Sequence, residues 1–246
     1  MSESLRTLPQ LRLATQQIDR PREISTFEAV RREFAKLGLD QIIRPGQSVA
    51  LTAGSRGIAQ IDGILRATVD QVRLLGGVPL IVPAMGSHGG GTAAGQVEVL
   101  ASYGITEATM GAPIRASMEV VEIGRHPLGG PIYLDKIASQ ADHIGVVARI
   151  KPHTGFSGTI ESGLVKMMMI GLGKHEGAKE YHRILVRNIW EPFARSVAPV
   201  ILEKAPVRFG LGIVENAFDE TARIEGVRAT EFLDREPALL EMARKG

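Results

Sequence analysis

The chain of 246 residues contains no cysteine. Disulfides, thiolate zinc sites and cysteine-ligated iron–sulfur clusters are therefore excluded. Any metal must be held by His, Asp, Glu or a bound ligand. Aromatic residues make up only 4% of the chain, too few for a platform on which single-stranded nucleic acid would stack. Net charge is also scarce: 29 Lys and Arg stand against 27 Asp and Glu, a balance of +2, with no basic block. That argues against nucleic acid as a partner. No apolar run is long enough to span a bilayer, and the stretch from Met1 to Pro21 is polar and lacks an apolar signal region. The expectation is a soluble, cytoplasmic protein that takes a small molecule and engages neither membrane nor nucleic acid. The oligomeric state is not readable.

What is present is an alternation. Thr26 to Leu37 reads as a helix, with Ser25 or Thr26 as N-cap and Gly38 as stop. After a turn at Pro45–Gly46 come a strand from Gln47 to Thr52, the loop Ala53–Gly54–Ser55–Arg56–Gly57 and a helix from about Ile58 to Leu75. The pattern then repeats as a strand from Val78 to Val82, the glycine-rich loop Ala84–Gly91 and a helix from Thr92 to about Tyr103. Strand, glycine-rich loop and helix, twice over, predict right-handed βαβ units. The fold class is α/β, with a parallel or mixed sheet and glycine-rich loops at its strand ends. A small β-rich excursion is expected within residues 105–135, at Ser117–Ile123 and Pro131–Tyr133. Further along, Pro192–Lys204 and Thr230–Arg244 read as helices, Arg183 to about Ile189 as another, and Val207–Glu215 and Thr221–Val227 as strands around a turn. Leu11–Arg12–Leu13 reads as a short strand. No linker divides the chain, so residues 1–246 are expected to form a single α/β domain.

Both glycine-rich loops fall at the carboxyl ends of strands, where open α/β sheets bind ligands. Glycine lets backbone N–H groups approach an anion, and the helix N-terminus favours negative charge. Arg56 can clamp an anion with two donors, and His88 can serve as acid or base. Neither loop is a Walker A or a G-x-G-x-x-G fingerprint, so two tight turns with incidental polar residues are the competing reading.

The stretch from Arg149 to His182 concentrates the remaining chemistry. An apolar strand, Ile144–Ala148, runs into Lys151–Pro152–His153 and a small-residue loop. Ile160 to Leu172 then reads as one helix, with Leu164, Met167, Met168 and Ile170 turned to the core and Lys166 among them. A lysine desolvated there loses proton affinity and becomes nucleophilic; one that snorkels to solvent does not. His153, His175 and His182 lie in the same stretch, three of the chain's six histidines. His126 and His143 read as structural. The methionines read as flexible core filling rather than metal ligands.

G-S-R-G at 54–57, M-G-S-H-G at 85–89, K-P-H at 151–153, and Lys166 with His182 together resemble the lactate racemase family, nickel-pincer nucleotide-dependent enzymes acting on 2-hydroxy acids. The resemblance covers most of the chain and is to the family's N-terminal domain. It implies His88 and His153 as the catalytic pair and Lys166 as the cofactor-tethering lysine. It also implies His182, sixteen residues after Lys166, as the nickel ligand. Arg56, with Ser55, Gly86 and Ser87 beside it, falls to the cofactor or substrate. His175 is the alternative ligand, with a helix-capping role as its competing reading.

The implied reaction is racemisation or epimerisation of a 2-hydroxy acid. The alternatives are a non-catalytic domain that holds a nucleotide or an anion, and a partial enzyme that needs a second domain or partner chain. Three departures stand out. The family's Asp-x-Thr-Arg loop is here Ala53–Gly54–Ser55–Arg56, without the acidic residue. The segment from His153 to Lys166 is longer than in lactate racemase itself. The family's C-terminal domain is expected to be absent. The first departure implies a different substrate from lactate.

Overall fold

A five-stranded sheet in the order β2-β1-β5-β6-β7 forms the middle of the computed structural model, which describes residues 13–15, 17–185 and 190–245. Its strands are β1 (Ser48–Ala53), β2 (Val78–Pro83), β5 (His143–Arg149), β6 (Val207–Glu215) and β7 (Thr221–Arg228). β1 pairs in parallel with β2 and β5, and β5 with β6, while β6 and β7 form an antiparallel hairpin at one edge. A separate antiparallel pair, β3 (Val120–Arg125) and β4 (Pro131–Asp135), is the expected β-rich excursion. The sheet is therefore mixed but mostly parallel.

Strand side chains alternate between two apolar layers. Val49, Leu51 and Val147 face a layer built by α1 (Thr26–Leu37) and α2 (Ile61–Leu74), with Phe34, Leu65 and Val69. Ala50, Ile144, Val146 and Ala148 face the other layer, with Met168, Trp190, Val197 and Leu239. Both faces of β5 are covered, which is why it reads as one continuous apolar run. α3 (Ala93–Ser102) follows β2, and single-turn helices α4 (Glu107–Met110) and α5 (Lys136–Ser139) flank the small hairpin. α8 (Trp190–Lys204) and α9 (Phe232–Lys245) complete the second layer. The capping is as the sequence predicts: the Ser25 side chain accepts from the Glu28 amide, and Gly38 ends α1 at φ 63°.

The structure differs most within the Met-rich stretch. Residues 160–163 are not helical: Ser162 pairs with Lys151 through two backbone hydrogen bonds, 2.9 and 3.3 Å, and Gly163 is extended. Helix α6 begins only at Leu164 and, after Lys166, widens into a π-turn over Met167–Gly171. The cause lies far along the chain. The buried carboxylate of Glu236 on α9 accepts the Val165 amide at 2.9 Å and fills the space where any residue but glycine at 163 would place a Cβ. A new helix, α7 (Lys174–Leu185), then carries both His175 and His182. His182 thus lies inside a helix rather than ahead of one. The remainder of the expected helix to Ile189 falls outside the described residues, as do Leu11 and Arg12 of the expected short strand, while Leu13 is fully exposed and belongs to no strand.

Candidate functional site

The parallel strands β1, β2 and β5 end on the same side of the sheet, and their following loops converge there. Gly54–Arg56 comes from β1, Ala84–His88 from β2 and Lys151–Thr154 from β5. With α6, the π-turn and α7 they enclose a cavity of about 470 Å³. Ser55, Arg56, Ser87, His88, His153, Lys166 and His182 all line it. Gly86 stands just behind the wall, with φ 60° and its N–H 3.3 Å from the Gly171 carbonyl. His175 does not line the cavity; it is exposed beside the turn at Gly91. The structure therefore brings five charged or titratable candidates, Arg56, His88, His153, Lys166 and His182, to one place with the hydroxyls of Ser55 and Ser87, and leaves out the alternative histidine.

Among the described residues no Asp or Glu lines this cavity, whereas Arg56, Lys151 and Lys166 all do. Arg149 is also on its wall but is spoken for by Glu215. Three unneutralised cations in a partly dry cleft make a site for an anion. Lys151 was not singled out by the sequence; its place in front of Pro152, at the end of the central strand, was the available signal.

The two imidazoles are held differently. Nδ1 of His88 is hydrogen-bonded to the Ser55 hydroxyl, which ties the β1 and β2 loops together. His88 is reached by solvent through the cavity, yet surrounding protein strips part of its hydration. That desolvation, followed by Arg56, Lys166 and His182, holds its pKa below 6.5. His153 accepts the Gly155 amide on Nδ1 at 3.0 Å, which leaves Nε2 to carry the proton of the neutral ring. Burial first, then Lys166, pushes His153 down to about 4, with Glu161 opposing.

The loop carrying His153 is built around Glu161, another residue that the sequence did not flag. Its carboxylate accepts the amides of His153 at 2.5 Å and Gly158 at 3.0 Å, and Arg244 donates to it at 2.7 Å. Burial raises the Glu161 pKa, but these donors outweigh it and hold the carboxylate below its usual range. His153 also lies flat on Phe156, which in turn stacks on Trp190.

Lys166 is half-buried, 3.5 Å from the Ser162 hydroxyl and 5.5 Å from the centre of the Phe156 ring. Burial, then Arg56 and Lys151, lower its pKa to about 8. Only about a tenth is then free amine at pH 7, far more than for an ordinary lysine, and this is the form that attacks an acyl group. Its position at the start of a π-turn is a common device for aiming a side chain into a site. The structural histidines are elsewhere: His126 meets Glu180 at 3.2 Å and His143 meets Gln47 at 2.9 Å.

The donor set also tests a bound metal. Among the described residues no group of three His, Cys, Asp or Glu side chains could hold an ion. Beyond the His88 and His153 pair the cavity offers one imidazole, His182. A metal here would have to bring its other donors with it, as part of an organic cofactor. The residues fit such a group: one imidazole for the metal, a reactive lysine for a covalent link, and Arg56 and Lys151 for negative charge.

Comparison with known proteins agrees with the geometry. Residues 11–191 match the model of the lactate racemase N-terminal domain. The structure is similar to the lactate racemase apoprotein from Thermoanaerobacterium thermosaccharolyticum, with a TM-score of 0.66 and 17% sequence identity. That match covers 93% of this chain and 58% of the other, so the chain spans little more than half the length of that protein. At this identity the likeness speaks for the fold. No match was found among curated proteins. No helix among the described residues is long and apolar enough to cross a membrane.

Proposed function

The chain belongs to the lactate racemase N-terminal domain family, and from that premise we propose that its cavity inverts the configuration of a 2-hydroxy acid, with His88 and His153 handling the protons. The observation that carries this reading is their arrangement. Two imidazoles from the ends of two different strands open on one cavity that no carboxylate among the described residues lines, and Lys166 is close enough to depress the pKa of both.

Inversion through a planar 2-oxo acid requires that a hydroxyl proton leave to one base and that a proton return from another. His88 and His153 supply that pair. Arg56 and Lys151 bind and orient the substrate carboxylate. Bringing a carboxylate in beside these imidazoles favours their charged forms, so each becomes a better base when substrate is present than in the empty cavity. Lys166 would tether a nickel-pincer nucleotide and His182 would offer its imidazole to the nickel, with Ser55, Gly86 and Ser87 shaping the nearby wall. When bound, that cofactor supplies the acceptor and donor of hydride at the substrate carbon. The missing acidic residue at Ala53 favours a substrate other than lactate.

A second reading has its own support. An imidazole whose pKa is about 4 is a weak base at neutral pH, which suits a domain that holds a nucleotide or anion without reaction. Chiral chromatography of a panel of 2-hydroxy acids, incubated with cofactor-loaded protein, separates the two. Inversion that is lost in both His88→Gln and His153→Gln, with the circular dichroism spectrum unchanged, supports the racemase. Absence of inversion leaves the binding reading in place, and inversion that survives both changes takes the proton handling away from His88 and His153.

A further inference from the structure

Behind the cavity lies a second lysine that the proposed reaction does not use. Lys174 is fully buried, as are its partners Asp135 and Gln96. It is also one of the few non-glycine residues at positive φ, 55°, a conformation that costs an L-residue energy. Its ammonium lies 2.8 Å from the Pro83 carbonyl, 2.8 Å from Oε1 of Gln96 and 3.2 Å from Asp135. These partners come from the end of β2, from α3 and from the end of β4.

The contact to Gln96 has a geometric consequence. An ammonium group has no acceptor, so the atom of Gln96 that faces it must be the carbonyl oxygen. The Gln96 amide cannot flip, and its N–H₂ is turned to the opposite side. There it donates to the Gly86 carbonyl at 3.0 Å and to the His88 carbonyl at 3.3 Å. Those two carbonyls bracket Ser87, and together they pin the loop from which the His88 imidazole enters the cavity. A buried ion pair is weak ground for stability. What reaches the site is the fixed orientation of one amide.

We propose that Lys174 is a positioning residue: by locking the Gln96 amide, it sets where His88 stands in the cavity. The inference rests on reading His88 as a proton-handling group. Its test needs neither cofactor nor substrate, so its failure would leave the racemase reading standing, and the reverse.

The test is an NMR titration of the histidine rings in the full chain, with His88 assigned through His88→Gln. Gln96→Leu removes both donors to the loop. The freed ring is better hydrated, so its pKa rises by on the order of half a unit towards 6.5, and its resonances broaden or double. Lys174→Met moves His88 in the same direction, and Lys174→Gln replaces it if the methionine variant does not fold. In the Gln96→Leu background the lysine change adds no further shift, because the two residues act in series. His143, whose pKa burial lowers, is an internal control that a general loosening of the fold would move as well. A folded Gln96→Leu protein in which His88 titrates as in the wild type overturns the proposal. So does a Lys174 variant that shifts His88 further in the Gln96→Leu background.

Discussion

The imidazole of His153 lies on the ring of Phe156 with the two centres 3.7 Å apart and the planes 10° from parallel. Phe156 covers one face of the group proposed to move a proton, and burial is the main reason that His153 sits at about 4. Replacing Phe156 by alanine should rehydrate the imidazole and raise its pKa towards 6.5. An NMR titration reads this directly. A pKa unmoved in Phe156→Ala would mean that Lys166, not burial, dominates the environment of His153.

Lys166 should react as an amine well below the range of ordinary lysines. With its pKa at about 8, modification by an amine-selective reagent should be half-maximal near that pH, as followed by peptide mapping. Exposed lysines reach that point near pH ~10.4. Arg56→Met removes the stronger in effect of the two cations that depress it and should move the Lys166 midpoint upward. A midpoint shared with the surface lysines would show that the side chain turns out to solvent.

Glu236 should make the fold less stable in base. Burial lifts its pKa from 4.5 to about 7, against the amides of Val165 and Leu164. Between those two values the folded state holds a proton that the unfolded state has lost. Stability therefore falls as pH rises through that window. At 1.36 kcal/mol per unit the full effect is on the order of 3 kcal/mol. Urea midpoints at pH 5 and pH 8 should diverge for the wild type, and the divergence should shrink in Glu236→Gln. Equal pH dependence in the two proteins would exclude Glu236 as the cause.

Gly95→Ala separates helix propensity from close packing. Alanine in a helix interior gains about 1 kcal/mol over glycine, and Gly95 lies within α3. Here the new Cβ would fall inside contact distance of the Gly89 carbonyl, in the turn that follows His88. The clash with backbone should win, with a net loss of about 1–3 kcal/mol measured by denaturant unfolding. A stabilised variant would contradict the packing described for this turn.

The parallel strands and the loops at their ends were legible in the sequence because each strand is a short apolar run punctuated by glycine. His88, His153 and Arg56 follow from that, since strand ends are where such sheets present side chains. Lys166 stood out as a lysine in an apolar run and His182 as one of three clustered histidines, their roles came from resemblance, and the cavity places them together. The start of α6 was not legible, because it is decided by Glu236 on the last helix. Lys174 was equally hidden. In K-H-E-G it looks like a surface lysine, and only partners from three distant elements make its burial tolerable. Glu161 escaped for the same reason: its task is to hold the amides of His153 and Gly158, which no local pattern announces.

The proposed chemistry depends on a nickel-bearing cofactor carried by Lys166. Intact mass and nickel content, measured on protein co-expressed with the cofactor-synthesis proteins, test it most directly. The expected result is a mass increase that maps to Lys166 and about one nickel per chain, both lost in Lys166→Ala. An unmodified Lys166 without nickel would contradict it and turn the cavity over to the anion-binding reading.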